Sequence, residues 1–459
     1  MRIGFQRGER AKAFLLTRFA SGEFTRNVAL IFGGTALGQA GMLLFYPVLT
    51  RIFEPEAFGV LSVYGGVMYL IGTVGAFRYE LAIPIARSEE EAVNLVALCG
   101  ACLFGATFLM AIATLLTSFN GMDLVGIGSL YPYRLLIPLG FAFISGYNVL
   151  QVYASRIGAF SSISRTRLGQ GFIAPIAQIG MGGLVAASTT VLIIGFIIGQ
   201  SSGVVLLTRL LFKNHRAVAT VSWRRIVSAA RRYYRYPLVS SWAAIIESAG
   251  SGGILYMLIS TYYVPAIAGY SYLTGRVLGR PLVLVAGALG QVYIGEAGRL
   301  AHTDPARLRR RLLQVSSRQL LISLGWAALI NIAAAQFYPL AFGSEWAAAV
   351  EYVLPLSVAL VSQTVLSSVS PTLQVLEKQT LAASWQPVPV ILLVMVFWGC
   401  SRLGLPAIDA FWGYGLIQLL TTIVMFAMMI VSLGQAERRI RNAARYALEK
   451  QTMFAGSAT

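Results

Sequence analysis

The sequence predicts an all-α polytopic membrane protein of about 12 transmembrane helices in two six-helix lobes. Three observations carry that prediction. The 459 residues are 57% hydrophobic and only 12% charged, with mean hydropathy +0.70, whereas soluble domains hold about 45–50% apolar and about 25% charged residues. Apolar runs of spanning length recur from residue 27 to residue 432. Lys and Arg crowd into every second gap between those runs, the asymmetry that fixes orientation in a bilayer.

In chain order the spans fall near 27–49, 58–82, 92–117, 132–154, 168–187, 189–212, 236–259, 265–294, 319–340, 349–373, 382–400 and 407–432. The fifth and sixth are the least separated, with only Ala187-Ser188-Thr189-Thr190 between them, so the boundaries there are open. On this division 29 of the 36 Lys and Arg lie on one side and only Arg51 and Arg402 on the other. Both termini are therefore expected in the cytoplasm. The domains read as a cytoplasmic N-terminal segment 1–26, a first lobe 27–212, a basic cytoplasmic linker 213–235, a second lobe 236–432 and a basic cytoplasmic tail 433–459. Within the first segment, residues 11–20 read as an interfacial helix.

A net charge of +18 would suit nucleic acid, but basic clusters beside apolar spans answer the anionic cytoplasmic leaflet instead. No nucleic-acid partner is expected. Cys99, Cys102 and Cys400 all lie inside apolar runs, which excludes an extracellular disulfide framework. The longest outer loop, Ser118 to Tyr131, holds one acid, Asp123; there is little room for an external catalytic domain. No phosphate-binding loop, dinucleotide fingerprint or acyl-transfer serine motif occurs in a loop, and His215 and His302 have no metal-ligand companions. An enzyme is not expected, nor a metal or other cofactor. Energy for transport would come from a substrate gradient, the membrane potential, or coupling to H+ or Na+.

Offsetting the chain by 210 residues places Pro55-Glu-Ala-Phe-Gly59 over Pro265-Ala-Ile-Ala-Gly269, and the first span over the seventh. Each half then reads as span, Pro-x-x-x-Gly turn, span. Six spans per half return the chain to the same side, so the repeat is parallel, about an axis along the membrane normal.

Charges deep in the bilayer cost at least about 2.5–3.5 kcal/mol each, so they mark candidate functional residues. Arg276 lies about 16 Å into its span from outside and Glu247 about 16 Å from inside, both near the midplane. Their helices are consecutive and antiparallel, which allows a Glu247–Arg276 pair. Arg280 follows Arg276 at i+4 on the same helix face, making a cationic strip suited to phosphate, and Pro281 can kink the helix there. Glu247 is the one deep carboxylate and the candidate for ion coupling or an ion pair. Arg78 and Glu80 sit near the inner end of the second span; two residues apart, they do not face each other on a helix, and anchoring or substrate and coupling roles are both open. Tyr270, Tyr272, Gln39 and Gln291 are candidate sugar contacts.

Arg51-Ile-Phe-Glu-Pro-Glu-Ala-Phe-Gly59 with Arg78-Tyr-Glu-Leu-Ala-Ile-Pro84 resembles the signature of the bacterial polysaccharide-transporter family. That family comprises O-antigen and exopolysaccharide repeat-unit flippases of the multidrug/oligosaccharidyl-lipid/polysaccharide (MOP) exporter superfamily. Tyr233-Tyr-Arg-Tyr-Pro237, Ala268-Gly-Tyr270 and Arg276-Val-Leu-Gly-Arg-Pro281 resemble it too, so the likeness covers most of residues 24–300. The resemblance implies a V-shaped transporter that carries an undecaprenyl-diphosphate-linked oligosaccharide across a bacterial inner membrane through a cationic cavity. In this reading the substrate serves lipopolysaccharide or exopolysaccharide synthesis, and polymerase or assembly proteins are the expected partners. Arg276 matches a frequent family position, whereas Arg280 rests on its own chemistry. Lipid II flippases of the superfamily tend to have fourteen spans, which twelve disfavours. The alternatives are an ion-coupled drug antiporter of the same superfamily and a non-transporting scaffold of a polysaccharide assembly complex.

Overall fold

The structure, a computed structural model, describes residues 22–456 and contains no strand among them. The interfacial helix expected over residues 11–20 lies outside the described residues. The α-helices of eight residues or more are α1 (Gly22–Ile52), α2 (Pro55–Gly72), α3 (Glu89–Leu116), α4 (Leu136–Arg156), α5 (Phe160–Leu184), α6 (Thr189–Lys213) and α7 (Trp223–Arg232). They continue as α8 (Ser241–Ser248), α9 (Leu255–Tyr262), α10 (Pro265–Thr274), α11 (Arg280–Thr303), α12 (Pro305–Phe342), α13 (Val353–Val369), α14 (Pro387–Arg402) and α15 (Ala407–Gly456).

Among the described residues, eight helical stretches are long and apolar enough by themselves to cross a membrane. In seven of them most of the apolar window faces outward, with only 11% buried in the stretch containing α14, whereas Ser344–Val375 is 61% buried. Outward-facing apolar helices are what a lipid solvent requires, since each helix satisfies its own backbone. The protein is an all-α, multi-pass membrane protein. The four remaining expected spans correspond to α1, α2, α5 and the pair α8–α9. α5 carries Arg165, Arg167, Gln170 and Gln178, and α8 and α9 are short pieces parted by an irregular turn.

Contacts group the chain into two units. The first comprises the described chain up to Phe53, Val67–Met122 and Leu130–Ile245. In it α5 packs between α1 and α6, α4 packs on α6 and α3, and α7 lies on α3. One core joins Ile83, Leu95, Cys99 and Tyr153; another joins Tyr147, Ile163 and Leu207. The second unit comprises Glu54–Gly66, Asp123–Ser129 and the chain from Ile246 onward. There α13 packs against α12 and α15, α11 against α12 and α13, and α14 against α15. Tyr352, Phe397 and Phe411 fill one core and Tyr293, Leu312, Val369 and Met429 the other.

Three boundaries depart from hydropathy. The apolar pattern carries the second span to residue 82, yet α2 ends at Gly72. Phe77 and Arg78 take left-handed backbone, φ 50° and 62°, and the chain resumes as a 3-10 helix, Tyr79–Ile85. Ala82 and Ile83 look like span residues because they are apolar, but they are fully buried in the first unit's core. The fifth span was expected from residue 168; α5 starts at Phe160 and takes Arg165 and Arg167 into the helix. The ninth was expected from 319; α12 starts at Pro305, capped by Asp304, whose carboxylate accepts the Arg307 N–H at 2.9 Å. The division between the fifth and sixth spans holds, with Ser188 capping α6.

The two Pro-x-x-x-Gly turns meet within the second unit. A Cβ on Gly59 would strike the Pro265 carbonyl, and a Cβ on Gly269 would strike the Pro55 carbonyl. The contact is reciprocal, as a two-fold relation between the repeated turns demands, and glycine alone permits it.

Candidate functional site

Arg276 occupies a π-helical turn, Gly275–Gly279, that joins α10 to α11. Its cause is local: Pro281 has no N–H to close an α-helical ring and its ring crowds the preceding turn. Glycines at both ends of the turn ease the rewinding. Side chains on α12 reach the backbone here: the Trp326 indole N–H donates to the Leu278 carbonyl, within the turn, at 3.2 Å, and the Gln319 amide to the Leu282 carbonyl, just beyond it, at 3.4 Å. Tyr338 donates to Thr274 Oγ1 at 3.1 Å just before the turn. Such turns recur at functional sites.

The antiparallel neighbour is broken as well. Between α8 and α9 runs a second π-helical turn, Ala249–Gly253, with Gly252 at φ 98°. Tyr256, one turn beyond, packs its ring 5.7 Å from that of Tyr272 and brings its hydroxyl beside Gly275. Two adjacent helices are thus interrupted near one another. Within a bilayer, irregular backbone is tolerated where it is buried in protein or lines a cavity, and discontinuous helices of this kind frame midplane binding sites in transporters.

Arg276 is half-buried. Its Nη2 donates to the Tyr272 hydroxyl at 2.8 Å, and its Cζ lies 4.6 Å from the Tyr272 ring centroid. Tyr272 itself is 4% exposed, braced by Phe58 and Tyr256, so it positions the guanidinium and offers little surface of its own. Arg280, half-buried, opens α11. Glu247 lies on α8, one residue before Ser248 and the first break, with its side chain exposed.

The other expected residues lie elsewhere. Tyr270 joins an aromatic group with Trp346 and Tyr352, and its hydroxyl donates to the Glu345 carbonyl at 3.3 Å. Gln291 is exposed on α11. Arg78 and Glu80 correct the helical expectation: they do face each other, Nη1 to Oε1 3.6 Å, because the backbone between α2 and α3 is not an α-helix. Glu80 is 7% exposed, and its Oε2 has no hydrogen-bond partner among the described residues. Burial raises its carboxyl above the ordinary range, against opposing pulls from a backbone hydrogen bond and Arg78.

A polar cluster that hydropathy missed lies in the first unit. Arg167 donates to Gln151 at 3.0 Å across α5 and α4, Gln170 donates to Gln200 at 3.2 Å across α5 and α6, and Tyr147 bonds Thr166 at 2.9 Å. Gln39 stands at the same level, since neighbouring Gly38 touches Arg167 and Gly171 across α1 and α5. Its Oε1 is buried without a hydrogen-bond partner among the described residues. The available signal was the i, i+3 spacing of Arg167 and Gln170, obscured by starting the span at 168.

Solved structures share this arrangement of helices. The lipid II flippase MurJ in an inward closed conformation superposes with TM-score 0.67 at 11% identity, covering 90% of each chain. An inward-facing multidrug resistance MATE family transporter of the MOP superfamily gives 0.61 at 14% identity, over 88% of this chain and 96% of that one. A MATE protein in complex with MaL6 gives 0.51 at 12% identity, over 90% and 97%. This chain shares its fold with the first two of these proteins. No family model and no curated protein sequence matches this chain.

Proposed function

We propose that this protein is a flippase that moves a polyprenyl-diphosphate-linked oligosaccharide across a bacterial inner membrane by alternating access. The observation that carries the reading is Arg276 at an irregular turn within a membrane span, braced by Tyr272 and followed one turn later by Arg280. A guanidinium stacked on an aromatic ring is held in one orientation, and its planar donors match a diphosphate. Two arginines disfavour a cationic drug as cargo. The likeness to a lipid II flippase supports a lipid-linked cargo by fold analogy alone. The finer assignment, to O-antigen or exopolysaccharide repeat units, rests on the motifs around Arg51–Gly59 and Arg78–Pro84.

The test is time-resolved exposure of a labelled polyprenyl-diphosphate oligosaccharide on the far leaflet of proteoliposomes. Wild type should transfer it and Arg276→Ala should not, while Arg276→Lys should recover only part of the rate, because an ammonium cannot donate in a planar fork. Restoration of Arg276→Ala by Glu247→Ala would mean that the arginine merely neutralises a helix contact, and the substrate-site reading would fail.

A further inference from the structure

The linker helix α7 divides its four arginines between two directions. Arg225 and Arg232 turn inward to the start of α3, where they meet Glu90 at 3.0 Å and Glu91 at 2.8 Å. Ile226, Ala229 and Ala230 between them pack into the core beside Ala92 and Val96. Ser222 closes the helix, its hydroxyl accepting the Arg225 N–H and its own N–H donating to Asn94 Oδ1 at 3.2 Å. The helix is therefore fixed, and its remaining face is fixed with it.

That face holds Trp223, Arg224, Val227, Ser228 and Arg231 around one open depression of about 360 Å³. Trp223 is 73% exposed. Neither Arg224 nor Arg231 meets a carboxylate among the described residues, because Glu89, Glu90 and Glu91 are engaged on α3's own side by Arg156, Arg225 and Arg232. The helix lies against the first turns of α3 and follows the end of α6 by nine residues, which sets it where both spans leave the apolar layer. An indole and a valine beside two unmatched guanidinium groups suit neither water nor hydrocarbon. They suit the boundary, where indole rings settle at headgroup level and arginines meet lipid phosphate.

We infer that the outer face of α7 is a binding site for anionic phospholipid headgroups of the cytoplasmic leaflet, with Arg224 and Arg231 holding phosphate and Trp223 seated in the interface. Charge complementarity decides the occupant: the face offers two cations and no acid, and a zwitterionic headgroup would bring its own cation against them. The site is separate from Arg276 and does not depend on the transport reading.

The experiment uses the full chain in phosphatidylcholine vesicles containing a few per cent of phosphatidylglycerol, with bromine on the acyl chains of one lipid or the other. Fluorescence of the Trp223→Phe variant is subtracted from that of wild type to isolate Trp223 among the seven tryptophans. Brominated phosphatidylglycerol should quench the difference signal well beyond an equal fraction of brominated phosphatidylcholine. The preference should fall about fivefold for each arginine removed in Arg224→Gln and Arg231→Gln, since each basic residue near an anionic surface contributes about that factor. Arg224→Lys with Arg231→Lys should keep most of it, which separates lost charge from a damaged helix. Equal quenching by the two lipids would overturn the headgroup site, leaving apolar anchoring only. No quenching by either would place the face in water and overturn it as well.

Discussion

The reciprocal contact between Gly59 and Gly269 makes a quantitative prediction. A methyl group at either position falls on the opposite turn's carbonyl, Pro265 for Gly59 and Pro55 for Gly269. A backbone carbonyl cannot rotate away as a side chain can, so the helix ends must part. Overpacking of this kind costs about 1–3 kcal/mol, and in a bilayer, where close packing of small residues holds helices together, no gain in hydrophobic burial offsets it. Once the turns have separated for one methyl, they have also made room for the other. Gly59→Ala and Gly269→Ala should therefore each destabilise by about 1–3 kcal/mol, and the double variant by about as much as the worse single. The coupling term should approach the size of one single effect and be favourable in sign. Equilibrium unfolding in mixed micelles, run as a double-mutant cycle, measures all three. Strict additivity, or singles that cost less than about 0.5 kcal/mol, would refute the reciprocal contact and with it the two-fold relation of the repeated turns.

Two further predictions concern side chains. Tyr272→Phe keeps the ring beneath Arg276 but removes the hydroxyl that accepts its N–H at 2.8 Å; a hydrogen bond to a charged group contributes about 1.5–3 kcal/mol, and the ring contact and the charge remain, so transfer in the proteoliposome assay should slow without being abolished as in Arg276→Ala. Glu80 predicts a pH effect of definite sign. Its folded carboxyl binds a proton more tightly than the unfolded one, so its contribution is most favourable below the ordinary carboxylate range and is lost as pH rises toward the raised value. As pH rises above the ordinary carboxylate range of about 4, wild type should lose stability relative to Glu80→Gln in thermal unfolding; a difference of opposite sign would mean that Arg78 outweighs burial.

Much of the architecture was legible because a bilayer imposes one rule on every span, about 20 apolar residues in helical form. The repeat was legible for a related reason: Pro55 and Gly59, and their counterparts Pro265 and Gly269, are residue types chosen by backbone geometry, so their spacing survives where other side chains differ. Hydropathy failed where the apolar environment was protein instead of lipid. Ala82 and Ile83 are as dry as any span residue, yet they belong to a 3-10 helix packed on α3 and α4. It failed again at Arg167, whose charge seemed to exclude it from a helix that its hydrogen bond to Gln151 admits. The expectation for Tyr272 came from its chemistry alone. Its i, i+4 spacing from Arg276 accounts for the hydrogen bond between them.

The site itself illustrates a tension that sequence states only in part. Pro281 and the run Ala249–Gly253 announce that two neighbouring helices are weak, but a weak helix in hydrocarbon exposes polar backbone at a cost of several kcal/mol per group. At the turn bearing Arg276, support is supplied from far along the chain: Trp326 and Gln319 on α12 donate to backbone carbonyls, and Tyr338 to the Thr274 hydroxyl. These donors are unremarkable in sequence, since Trp326 and Tyr338 read as bulk of an apolar span and Gln319 as the end of the polar run Ser316-Ser317-Arg318. Their placement means that the turn bearing Arg276 is held from behind by a long, continuous helix, so the guanidinium can be presented at an irregular turn without the turn itself being loose. Trp326→Phe should then weaken transfer although Trp326 meets a backbone carbonyl and not the arginine, and should do so through position, with Arg276→Lys and Trp326→Phe giving less than additive losses in the same assay. Full additivity would detach the support from the site.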